Sequence, residues 1–129
     1  MKSPLLKLHE AIYNRLKDNL SYSVYDDVPE NADFPYVSMG AVTSSDWSDK
    51  FIPGMQVIST IDLWSQYKGR KEVLEMTGAA LQVLTSEDFD LSPEFKAVWK
   101  GLDSLEIIID IDGVTRHGIL KYKLLIEEL

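Results

Sequence analysis

The sequence predicts an α+β domain: a mostly antiparallel sheet with two amphipathic helices packed on it. Three observations carry this. Two stretches repeat apolar residues every three or four positions, the period of a helix with one buried face. Four stretches alternate apolar and polar residues, the period of a half-buried strand. The strand stretches sit close enough in the chain to be joined as hairpins.

The first helix is read over residues 4–20. Ser3-Pro4 is a start signal, because Ser can hold free backbone N–H groups and Pro is tolerated at the first helical position. Leu5, Leu8, Ile12, Leu16 and Leu20 form the apolar stripe, widened by Leu6 and Tyr13. Lys7, Glu10, Asn14, Lys17 and Asp18 fall on the other side. Residues 21–25 suit a short strand, and two prolines and four acids between Asp26 and Pro35 make an irregular connection. From Tyr36 to Ser44, Val37, Met39 and Ala41 lie on one face and Ser38, Gly40 and Ser44 on the other. Pro53-Gly54 then marks a turn. From Met55 to Ser65, Met55, Val57, Ile61 and Leu63 oppose Gln56, Thr60 and Asp62. These two strands form a hairpin with a long connection.

The second helix runs from Gly69 to Leu84, with Val73, Met76, Ala80 and Leu84 on its buried stripe. Residues 94–100 suit a short strand. Leu105, Ile107, Ile109 and Ile111 then form one buried row, and Leu120, Tyr122, Leu124 and Ile126 another, as two strands of a final hairpin. A two-residue Asp112-Gly113 turn places Glu106 opposite Ile119. A four-residue loop from Asp112 to Thr115 instead places Glu106 opposite Lys121, Asp110 opposite His117, and Ile107 opposite Leu120. Each opposite-charge pair contributes about 0.2–1 kcal/mol, which favours the four-residue loop.

The chain of 129 residues suits one domain over 1–129, with a radius of gyration of about 14 Å. The absence of cysteine excludes a disulfide framework, a thiolate metal site and a cysteine nucleophile. Two histidines, His9 and His117, leave little material for a histidine zinc site. Thirteen basic residues against 21 acidic ones give a net charge of −8, which disfavours a grip on nucleic-acid phosphates. The N-terminus does not read as a signal peptide, and no stretch has the apolar length of a membrane span.

Candidate chemistry is sparse. Asp110-Ile111-Asp112-Gly113 resembles the opening of a calcium loop, but its glycine comes too early and position 119 is Ile rather than Glu. The acids Asp26, Asp27, Glu30 and Asp33, and the group Glu87, Asp88 and Asp90, read as solvated loops rather than cation sites. His117 has the chemistry of a general base, yet no nucleophile or second acid is implied beside it. Neither a phosphate-binding glycine loop, a nucleophile elbow nor a zinc-protease motif is present. No cofactor is therefore expected, and no catalytic residue is assigned.

The segment from Ser44 to Gly54 differs from an ordinary solvated loop. Trp47, Phe51 and Ile52 are either anchors of a contact surface or a satellite core folded back on the domain. Together with Asp49, Arg116 and His117 they are the candidate interface residues.

Several segments in order resemble the tail-completion, or tail-terminator, proteins of long-tailed phages and prophages. They are the N-terminal helix, the Asp-rich connection ending in Phe34-Pro35-Tyr36-Val37, the strand from Val57 to Ser65 with Asp62-Leu63-Trp64, the helix from Val73 to Leu84, and the closing Thr115-Arg116-His117-Gly118-Ile119-Leu120-Lys121-Tyr122. The Ser44 to Pro53 loop is outside the family pattern. The resemblance implies a non-enzymatic virion subunit at the tail end, or neck, made in the host cytoplasm. It implies assembly as a ring, commonly a hexamer, on the tail tube protein, joined to a head-completion or connector protein. DNA would pass through without specific binding, and an acidic lumen would keep it mobile. Competing readings are another neck or head-completion subunit, or a small cytoplasmic ligand-binding or regulatory domain.

Overall fold

The computed structural model describes residues 1–129. The elements are α1 (Leu5–Asn19), β1 (Ser23–Tyr25), β2 (Tyr36–Asp46), β3 (Gly54–Ser65), α2 (Lys71–Thr85), β4 (Phe95–Ile109) and β5 (Arg116–Glu128). One five-stranded sheet has the order β1-β2-β3-β5-β4. All neighbours are antiparallel except the short β1, which pairs in parallel with Tyr36–Ser38 of β2. The α+β class is as the periodicities predict.

Both helices cover one face of the sheet. Leu8, Ile12 and Leu16 of α1 and Val73, Met76, Ala80 and Leu84 of α2 meet Val37, Val57, Ile61, Leu63, Leu120, Tyr122, Leu124 and Ile126 in one core. The start of α1 differs slightly from expectation: the cap is Pro4, and Ser3 Oγ accepts the Leu5 N–H from one position further out. At its far end α2 is tied to the sheet, since Tyr122 donates its hydroxyl to Leu84 O at 3.3 Å. Arg15 of α1 and Lys100 of β4 converge on the loop after α2, where both lie over the Phe89 ring. Arg15 donates to the carbonyls of Glu87 and Asp88, and Lys100 to those of Leu84 and Glu87. Desolvation, reinforced by the nearby Arg15 charge, lowers the Lys100 ammonium from its ordinary pKa.

Three expectations are corrected. The final hairpin pairs Glu106 with Ile119, Ile107 with Gly118 and Ile108 with His117. Glu106 does not face Lys121, and Asp110 does not face His117. The loop chemistry decides this. Asp112 accepts from the backbone N–H groups of Val114 and Thr115, both at 2.8 Å, and from Thr115 Oγ1 at 2.6 Å. Gly113 takes a positive φ of 70°, and Asp110 N donates to Thr115 O. Several charge-assisted bonds inside the loop outweigh two exposed cross-strand ion pairs.

Secondly, residues 94–100 and 105–111 do not form two strands. β4 is one 15-residue strand, with register shifts at Ala97/Trp99 and Leu102/Ser104. Bulges let a strand absorb an extra residue while staying paired, and periodicity reads each one as a break. Thirdly, Leu105, Ile109 and Ile111 are not buried. They are 40%, 48% and 101% exposed: Leu105 and Ile109 sit on the edge strand β4, and Ile111 lies past its end in the β4–β5 loop.

Candidate interaction surface

Two hairpin arms extend from opposite ends of the sheet. β3 and β5 pair from Gly54↔Glu127 to Ser65↔Arg116, so the β2–β3 tip lies at one end and the β4–β5 tip at the other. Residues 41–53 of the first arm are all exposed.

At the first tip, Asp49 is an organiser. Its carboxylate accepts the N–H groups of Phe51 and Ile52, both at 2.7 Å, while Asp49 N donates to Ile52 O. Those two backbone bonds hold the carboxyl below its ordinary pKa. The resulting turn leaves Phe51 85% exposed and Ile52 38% exposed. Trp47 takes a middle course: its ring edge and carbonyl lie against Gly54, so closely that a Cβ there would stand 2.6 Å from Trp47 O. The Trp47 indole nevertheless remains exposed, and none of the three joins the main core. At the other tip, Ile109, Ile111 and Val114 are exposed. Their significance escapes periodicity, which assigns two of them to a buried row.

Arg116 and His117 start β5 and point to opposite faces. Arg116 donates to the carbonyl of Val114 and keeps its Nε buried without a partner. His117 lies on the helix-free face. Its Nε2 is 2.7 Å from Asp62 Oδ1, and its ring stacks on Trp64 with centroids 3.8 Å apart. Trp64 in turn donates Nε1–H to Ser38 Oγ and stacks on Tyr36. Tyr36, Trp64, His117 and Ile108 thus form one row across β2, β3, β5 and β4. Burial, with the neighbouring Tyr25, raises the Tyr36 phenol from its ordinary pKa. Gly40 makes room for the acid partner, since a Cβ at that position would stand 2.3 Å from Asp62 Oδ2. The second acid that sequence reasoning could not find beside His117 is therefore Asp62. Alternation already puts both on the polar side of their strands, but only the β3–β5 pairing brings them together. His9 has a similar partner, Asp26 Oδ1 at 3.0 Å.

The acidic connections are exposed loops. No group of three or more His, Asp or Glu side chains stands in a geometry for a metal ion. No helix is long and apolar enough to cross a membrane.

A family model described as "Tail completion protein gp17" matches residues 7–127. The chain is similar to the tail completion protein gp17 of Bacillus phage SPP1, with 30% identity over 90 residues. That alignment covers 70% of this chain and 66% of the relative, a little under two thirds of its length. Among solved structures, the fold is similar to a chain in the virion of a native gene transfer agent particle. There the TM-score is 0.80 at 23% identity, over 93% of this chain and 94% of the other. The solved gp17 protein of bacteriophage SPP1 gives a TM-score of 0.52 at 22% identity, over 94% of this chain and 84% of that one. At these identities the two structural likenesses show the fold.

Proposed function

Because the chain belongs to the tail completion protein gp17 family, we propose that it caps the tail tube as a ring of identical copies and joins the tail to the head. The observation that carries this reading is the pair of apolar arms at opposite ends of one sheet. A joint between two different structures needs two separate contact surfaces, and Phe51 with Ile52 at one end and Ile109 with Ile111 at the other supply them. Exposed aromatic and aliphatic side chains on a rigid support are typical interface anchors. The role is structural and asks for no catalytic group.

The partners proposed are a second copy of this chain, the tail tube protein, and a head-completion or connector protein. A ring needs a heterologous interface, in which one patch meets a different patch on the next copy. DNA passes through the ring without specific binding. The acids Asp26, Asp27, Glu30 and Asp33, with Asp103, Glu106, Asp110 and Asp112, are all exposed and give a surface that repels phosphate. A ring whose channel wall proved basic would refute that part.

The deciding experiment is electron microscopy of particles made without this protein. Overlong or unjoined tails are expected, and normal tails of normal length would sink the reading. The double variant Trp47→Ala plus Phe51→Ala should weaken assembly while the monomer stays folded. Unchanged light scattering and unchanged tail joining would remove the first tip from the interface.

A further inference from the structure

We propose that neighbouring copies join edge to edge, with Ala97–Leu105 of β4 from one copy pairing against Met39–Asp46 of β2 from the next. The inference rests on the ring reading and names the surface that closes it.

Both edges are free. β4 ends the sheet on one side, and β1 covers β2 only from Tyr36 to Ser38. The outer edge of β2 from Met39 onward therefore faces a notch one strand wide. Unpaired backbone N–H and C=O groups along such an edge are a template for another strand.

The two edges match in level, face and direction. Following the register across the sheet, Met39 pairs with Ile61, Ile61 with Leu120, and Leu120 with Leu105. Val42 leads in the same way through Ser59 and Tyr122 to Leu102, and Asp46 through Met55 and Ile126 to Ala97. The open stretch of β2 thus stands level with the part of β4 that carries exposed apolar residues. Val42, 41% exposed, and Leu102, 42% exposed, project on the same face as the buried Tyr122. Edge pairing without a flip of the sheet sets Val42 beside Leu102 and Met39 beside Leu105. Alternating directions across β2, β3, β5 and β4 make the new contact antiparallel.

The chain has no cysteine, so engineered thiols report this contact without background. Val42 and Leu102 of one copy are separated by three strand spacings, about 14 Å, whereas a disulfide needs Cα atoms within about 7 Å. Any bridge between them must join two copies. The test oxidises the double variant Val42→Cys plus Leu102→Cys, each single variant, and a mixture of the singles. Ring formation is followed in parallel by light scattering and electron microscopy. The expected result is a ladder of covalent multiples for the double variant and a covalent dimer only in the mixture. On a denaturing gel, a reducing agent should collapse both to monomer. Cross-linking of Leu102→Cys alone would mean that β4 meets β4 about a two-fold axis, and would overturn the pairing. Rings without any cross-link would overturn it while leaving the ring intact. Neither rings nor cross-links would overturn both.

Discussion

At the scale of single residues, Asp62 links three strands on the helix-free face. It holds His117 across β3–β5 and fills the space left by Gly40 on β2. His117→Ala removes a hydrogen bond to a carboxylate and a stacking partner of Trp64, and should cost about 1–3 kcal/mol in urea unfolding. Gly40→Ala should loosen the same pair, detected as a changed histidine side-chain resonance. The carboxylates of Asp49 and Asp112 act more locally. Hydrogen bonds hold both below their ordinary pKa. Their ordering effect is therefore present above the ordinary carboxylate value of about 4 and is lost as pH falls through the lowered one. Amide exchange at Phe51, Ile52, Val114 and Thr115 should accelerate relative to the core under acid. Equal protection across that range would count against the two acids as organisers of the tips.

At the scale of elements, helices and central strands were the legible part, because their periodicity is enforced by burial on one face. α1, α2, β2 and β3 follow their predicted residues within two positions at each end. β4 was misread because each bulge shifts the alternation by one residue, so the apolar positions no longer describe one face. Its register with β5 is set by hydrogen bonds within the loop, which residue alternation does not display, and not by exposed ion pairs. A direct check is Asp112→Ala, which should release the Val114 and Thr115 amides to faster exchange while leaving those of β3 unchanged. The candidate interface residues were legible as residue types. Their division of labour was not: Asp49 and Arg116 fasten loops, His117 belongs to a clamp, and Phe51 is the side chain set out in solvent. That division depends on contacts between segments far apart in the chain.

At the scale of the whole molecule, stability and the proposed assembly fall to different residues. Ile12, fully buried between helix and sheet, should cost about 2–5 kcal/mol on truncation to alanine. Phe51, set in solvent, should change unfolding by no more than about 0.5 kcal/mol under the same substitution. Comparable losses for the two variants in urea unfolding would show that the tip is part of the fold. The arms can thus vary without endangering the domain that supports them. Their placement has one more consequence. Because the two tips differ in sequence and point opposite ways, copies arranged side by side in one orientation form a disc with unlike top and bottom. A polymer of stacked identical discs keeps growing because every new end repeats the last. A disc whose far side no longer repeats that end arrests the stack by geometry alone, with no clock, ruler or fuel.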